Sequence, residues 1–111
     1  MTEPAIDAVD FYWRRGCGVC MMLDRSLTKA GVAIRRHDIW SDPAAAEVVR
    51  TWADGSETVP TVVVGDRGLV NPSSDQVIAV LSEKAPHLVP DGWEPQRPGA
   101  IGSVVRRLLG G

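Results

Sequence analysis

The sequence is poor in three features that mark large classes of protein. It has two cysteines among 111 residues, fewer Lys and Arg (12) than Asp and Glu (14), and no apolar run that approaches the length of a bilayer span. Two cysteines are too few for the disulfide framework of a small secreted domain, and a net charge of −2 leaves no basic surplus for phosphates. The amino terminus has neither a basic nor a long apolar segment. We therefore expect a cytoplasmic protein with no nucleic-acid partner and no membrane span.

Internal repeats and low-complexity tracts are also absent, and the length suits one ordinary domain better than two. The composition changes at Pro86, after which prolines and glycines recur. We predict a domain over residues 1–85 and an irregular Pro/Gly-rich extension over residues 86–111. Apolar spacing near residues 101–108 allows one short amphipathic helix in the extension, the alternative being a segment packed loosely on the domain.

Hydrophobic periodicity predicts seven elements in the order β-α-β-α-β-β-α. Strands are expected at residues 9–13 with Ile6 as an extension, at 32–39, at 58–64 and, after a turn at 65–68, at 69–70. A βαβ unit followed by a hairpin and a covering helix makes a small mixed four-stranded sheet with helices on both faces. The fold class is therefore α/β.

The helices have clear start and stop signals. The first begins at the cysteines and ends at Gly31, since glycine readily takes the left-handed conformation that closes a helix. The second begins at Asp42-Pro43, a capping residue followed by proline in the first turn. Ser73 and Gln76, three residues apart, form the capping box of the third.

The two cysteines stand at this strand-to-helix junction as Cys17-Gly18-Val19-Cys20. Unpaired N–H groups and the positive end of the helix dipole stabilise a thiolate there, which makes Cys17 the predicted nucleophile. Cys20, one turn further on, is the predicted resolving thiol that attacks a mixed disulfide formed at Cys17. Arg14 and Arg15 just upstream would add positive potential that favours the thiolate and an anionic substrate, or would form only a solvated edge.

A cysteine pair can instead be half of a zinc or iron–sulfur site, which requires about four ligands. The two histidines, His37 and His87, stand far apart and have no ligand spacing. A metal site would therefore need a second chain or an outside thiol, and we expect none within one chain.

The chain resembles the glutaredoxin family of the thioredoxin fold, and within it the actinobacterial mycoredoxin-like members. The resemblance covers about residues 6–85. It is carried by five motifs: Cys17-Gly18-Val19-Cys20, Asp38-Ile39, Asp42-Pro43, Thr58-Val59-Pro60 and Asn71-Pro72-Ser73.

The resemblance implies a substrate groove as well as a redox-active Cys17–Cys20 disulfide. It implies a cis peptide between Val59 and Pro60, with the backbone of Val59 pairing in strand fashion with the peptide-like part of a bound thiol. It also places Arg14 at a substrate carboxylate.

The resemblance further puts Ser74 and Asp75, at the start of the last helix, near the other end of the thiol. A helix N-terminus favours anions on physical grounds too.

Departures from the family pattern bear on which small thiol is the co-substrate. Members that use glutathione commonly carry Pro and Tyr between the cysteines and a Gly-Gly pair before the last helix, where this chain has Gly18, Val19 and Pro72-Ser73. These differences favour mycothiol over glutathione, or a protein disulfide as partner.

The resemblance thus implies a monomeric thiol-disulfide oxidoreductase without a bound cofactor. It would reduce mixed disulfides between proteins and a low-molecular-weight thiol, acting on mycothiolated or otherwise S-thiolated proteins. Two alternatives stay open. One is a redoxin that donates electrons to a protein disulfide such as that of ribonucleotide reductase, and the other is a dimer that binds a 2Fe–2S cluster.

Overall fold

The computed structural model describes residues 5–93, so the amphipathic helix expected near residues 101–108 lies outside the described part. Four strands form one sheet in the order β2-β1-β3-β4, in which β1 and β2 run parallel and the other pairs antiparallel. The elements are β1 Val9–Trp13, α1 Gly18–Ala30, β2 Ile34–Asp38, α2 Pro43–Trp52, β3 Thr61–Val64, β4 Arg67–Val70 and α3 Ser74–Lys84. This is a thioredoxin-like α/β fold, as predicted.

Helices cover both faces of the sheet because the central strands are apolar on both sides. On one face Val9 and Phe11 of β1 pack with Leu27 of α1 and Ile78 of α3. On the other face Tyr12 of β1 belongs to a smaller apolar cluster with α2. Successive strand residues point to opposite faces, so one five-residue strand contributes to both layers.

The predicted helix signals are present as hydrogen bonds. Gly31 closes α1 in the left-handed conformation, and the carboxylate of Asp42 accepts from the Ala44 N–H at the start of α2. Ser73 and Gln76 form the reciprocal capping box of α3. Local sequence chemistry therefore fixes the helix boundaries.

The strand boundaries differ from the predictions in ways that backbone hydrogen bonding explains. The third strand begins at Thr61 rather than residue 58, because Pro60 has no N–H to donate to a ladder. The hairpin turn is only two residues long, and Arg67 already pairs with Val64, so β4 begins two residues earlier than predicted. Ile6 does not extend β1 but packs against the core ahead of it.

Residues 86–93 run on from α3 and remain in contact with the domain. A single 3-10 turn covers Pro86–Leu88, and Leu88, Val89 and Trp93 pack against the apolar cluster of the α1 and α3 face. His87 Nε2 lies 2.7 Å from the carbonyl oxygen of Ile6. The boundary at residue 85 stays a prediction. Within the described part of the chain, no helix has the length and apolar character of a membrane span.

One charged contact joins α1 to the edge strand β2. The guanidinium of Arg36 donates two hydrogen bonds to Asp24, at 2.7 and 2.8 Å, and these hold the pKa of Asp24 below its ordinary value. The folded protein thus favours the charged carboxylate. The resulting stabilisation is present above the unfolded pKa, near 3.8, and is lost as the pH falls through the lower folded pKa.

We predict that Asp24→Asn lowers the free energy of unfolding at pH 7 by up to about 1 kcal/mol, since both side chains are partly exposed. The difference from the parent protein should narrow below pH 3.8. Urea unfolding at a series of pH values measures both effects. Asp91→Asn is the matched control, because no ion pair within residues 5–93 involves Asp91. A gap that stays constant between pH 7 and pH 2 would contradict the prediction.

Candidate active site

The candidate site lies at the carboxyl end of β1, where the chain turns into α1. Gly16 takes a positive φ of 76° in this turn, a conformation that glycine adopts readily. Cys17 follows as the N-cap of α1 and keeps an extended backbone. The cysteines therefore stand at the start of α1, as predicted from the sequence.

Cys17 and Cys20 are joined in a disulfide, with their Cα atoms 5.2 Å apart. The Cys20 N–H donates to Cys17 Sγ at 3.1 Å, so the sulfur occupies the place of a capping oxygen. Cys17 is 8% exposed and Cys20 is 2% exposed. Cys17 is thus the more exposed cysteine of the pair, and a helix N–H that has no partner within the helix donates to its sulfur.

A cis peptide between Val59 and Pro60 stands opposite the cysteines. The carbonyl oxygen of Val59 lies 3.9 Å from Cys17 Sγ, and Pro60 is fully buried. The Pro60 carbonyl accepts from the Asn71 N–H at 2.7 Å, which ties this turn to the end of β4. Two residues that are 42 positions apart in sequence are therefore in contact beside the disulfide.

Arg14 is half-buried and directly follows the last residue of β1. Its Nη1 donates to the carbonyl of Arg15 at 3.0 Å, and its guanidinium lies 5.4 Å from the ring centroid of Trp40. Trp40 is 62% exposed, so the arginine rests on an aromatic surface that is open to solvent. No sequence pattern indicates this role for Trp40, because Arg14 and Trp40 are 26 positions apart and only the fold brings them together.

Asp38 stabilises the loop that carries Trp40. Its carboxylate accepts from the Ser41 hydroxyl at 2.8 Å and from the Trp40 N–H at 2.9 Å. These bonds, with a weaker contribution from Arg15 at 4.0 Å, lower the pKa of Asp38. A carboxylate rather than a carboxylic acid therefore anchors the loop beneath Arg14.

Ser74 and Asp75 occupy the first turn of α3 and are half-buried. Antiparallel pairing of β1 with β3 and of β3 with β4 puts the start of α3 at the same end of the sheet as Cys17. Asp75 Oδ1 accepts from the indole N–H of Trp93 at 3.4 Å. This bond joins the first turn of α3 to the segment after that helix, and no spacing in the sequence predicts it.

Apolar side chains surround the start of α1 on its solvent side. Val19, Met21 and Met22 are 54%, 64% and 71% exposed. Among residues 5–93, no group of three or more His, Cys, Asp or Glu side chains is placed to hold a metal ion. The described site is therefore a disulfide at a helix start, in contact with the Val59 carbonyl and carried by a helix whose first turn exposes apolar side chains.

Comparisons with known proteins agree with this arrangement. The family model for glutaredoxin matches residues 9–69. Two Mycobacterium tuberculosis proteins, from strains CDC 1551 and H37Rv, carry the name glutaredoxin and are each 41% identical over 75 residues, which is 67% of this chain and 89% of theirs.

Solved structures share the fold at lower identity. The thioredoxin-like protein BC3987 matches with a TM-score of 0.58 and 23% identity, covering 66% of this chain and 99% of that one. The NrdH-redoxin of Escherichia coli gives 0.57 and 24%, with 67% and 95% coverage. A buckwheat glutaredoxin in complex with glutathione gives 0.53 and 18%, with 72% and 74% coverage.

Proposed function

The chain belongs to the glutaredoxin family and is a thiol-disulfide oxidoreductase, and from this premise we propose that it reduces mixed disulfides between proteins and mycothiol. The observation that carries the proposal is the position of Cys17. It is the N-cap of α1, its sulfur accepts a hydrogen bond from the Cys20 N–H, and the same sulfur lies 3.9 Å from the Val59 carbonyl oxygen.

The proposed reaction uses both cysteines in turn. The Cys17 thiolate attacks the small-thiol sulfur of the adduct, the protein sulfur leaves as a thiolate and takes a proton, and a Cys17 mixed disulfide forms. A second mycothiol thiolate then releases oxidised mycothiol and frees Cys17. Alternatively, Cys20 attacks Cys17 and releases the bound thiol, which leaves the Cys17–Cys20 disulfide seen in the structure.

In this proposal, residues on either side of Cys17 contact the two ends of the thiol. The backbone of Val59, held by the buried Pro60, is suited to pair with the amide part of the thiol. Arg14 offers a cation at one end, and Ser74 and Asp75 offer a hydroxyl and a carboxylate at the other. A hydroxyl-rich sugar thiol such as mycothiol can use both kinds of group.

Support for mycothiol comes from the residues between the cysteines and from the relatives. Gly18 leaves open space, since an added Cβ would meet no atom within 4 Å, and Val19 is exposed. A bulky thiol can therefore approach this side of Cys17. The similar mycobacterial proteins agree with the actinobacterial resemblance.

We further propose that the protein works as a monomer in the cytoplasm.

The test compares small thiols on one substrate. The reduced protein is given bis(2-hydroxyethyl) disulfide with mycothiol, glutathione or cysteine at equal concentration, and disulfide loss is followed in a coupled assay. The proposal expects kcat/KM with mycothiol to exceed that with glutathione at least tenfold. Equal rates with glutathione would remove the mycothiol assignment. Turnover of protein disulfides alone would favour the electron-donor redoxin, and brown dimers with little turnover would favour the cluster-binding module.

A further inference from the structure

One face of α1 forms a stripe that begins at the reactive cysteine. Met21, Arg25 and Lys29 follow Cys17 at intervals of four residues, and all three are exposed. Residues four apart lie one above the other on a helix. The stripe therefore leads from the candidate active site along the outside of the domain.

A furrow separates this stripe from the edge strand β2. It has a volume of about 520 Å³ and is lined by Met21, Asp24, Arg25, Thr28, Lys29 and Arg36. The ion pair between Asp24 and Arg36 crosses it and joins helix to strand. The furrow is thus a formed depression between two tied elements.

The furrow carries a positive charge in a protein of net charge −2. Its one carboxylate, Asp24, is neutralised by Arg36 and also accepts from the Thr28 hydroxyl at 3.1 Å. Within the described chain, neither Arg25 nor Lys29 has an ion-pair partner. Two cations beside the apolar Met21 therefore face solvent.

We propose that this furrow docks an acidic segment of the thiolated protein substrate, a proposal that rests on the proposed function. An apolar side chain of the segment lies against Met21, and its carboxylates meet Arg25 and Lys29. Complementary charges of this kind raise the rate of encounter and fix the register of the complex.

The length of the stripe indicates that its occupant is a protein segment and not a small thiol. Lys29 follows Cys17 by twelve residues, which is about 18 Å along a helix at 1.5 Å per residue. An extended peptide covers that distance with roughly five or six residues at 3.3 Å each. A single small thiol bound at Cys17 is too short to reach Lys29. The furrow therefore recognises the protein side of the mixed disulfide.

The test uses the double variant Arg25→Glu/Lys29→Glu. Its control is Arg67→Glu, which reverses an exposed charge on β4, at the opposite edge of the sheet. Two synthetic peptides carry one cysteine as a mixed disulfide with the same small thiol. They bear glutamates or lysines four to six residues from that cysteine on both sides.

The parent protein should reduce the glutamate peptide with a kcat/KM at least tenfold above that of the lysine peptide. The double variant should lose this preference, mainly through KM, and keep its rate on bis(2-hydroxyethyl) disulfide. Added salt should shrink the preference of the parent protein. Equal rates of the parent protein on the two peptides, or an equal loss in Arg67→Glu, would overturn the docking proposal. Failure of the parent protein on bis(2-hydroxyethyl) disulfide would overturn the proposed function instead.

Discussion

Cys17→Ser should abolish turnover of mixed disulfides, with kcat/KM falling by roughly three orders of magnitude or more. A serine hydroxyl does not attack a disulfide, and Cys20 is 2% exposed, so the remaining thiol is poorly placed to take over. The measurement is the steady-state rate on bis(2-hydroxyethyl) disulfide. Retention of a tenth or more of the parent activity would show that Cys17 is not the nucleophile.

Cys20→Ser separates the roles of the two sulfurs. With Cys20 absent and no free mycothiol added, attack by Cys17 on a mycothiol adduct should stop at the mixed disulfide, which mass spectrometry detects as an added thiol mass. The Cys17→Ser protein should gain no adduct, and a variant that lacks both cysteines controls for attachment elsewhere. An adduct on Cys17→Ser and none on Cys20→Ser would reverse the assignment.

Gly68→Ala should destabilise the fold by about 1–3 kcal/mol, because the added methyl group enters occupied space. A Cβ at Gly68 would collide with the indole ring of Trp52, which packs over β4 from α2. The collision involves the fused part of the ring rather than the flexible end of a side chain. Urea unfolding followed by far-ultraviolet circular dichroism measures the loss.

The cause of this loss can be isolated with a double-mutant cycle. In a Trp52→Ala background the same Gly68→Ala change should cost less than about 0.5 kcal/mol, so the coupling energy should account for most of the effect. Gly18→Ala is the matched control, since no atom lies within 4 Å of an added Cβ there. If Gly68→Ala lowered the free energy of unfolding by the same amount in the Trp52→Ala background, the cause would lie in the backbone of β4.

The sequence predicted what depends on local chemistry. Capping at Ser73, the stop at Gly31 and the helix start at the cysteines were predicted from local sequence, and all three hold in the structure. The four-stranded sheet followed from the order of these elements. The cis peptide before Pro60 came from family resemblance alone, because sequence physics favours the trans form.

Contacts between distant segments could not be predicted from pattern. Trp40 carries no periodic signal, and its contact with Arg14 depends on how the loop after β2 folds back. Trp93 meets Asp75 only because the chain after α3 returns along the domain. The furrow depends on Arg36 of β2 facing Asp24 of α1, a pairing that no spacing in the sequence indicates.

The edge position of β2 has a consequence for the protein at high concentration. A free strand edge can recruit another copy and start aggregation. Four of the five residues of β2 carry ionisable side chains, and Arg35 is engaged by Asp7 at 2.7 Å and by Asp10 at 3.3 Å. Pairing of a second copy of β2 with this edge would bring like charges together and remove water from them. The strand that borders the furrow therefore resists self-association.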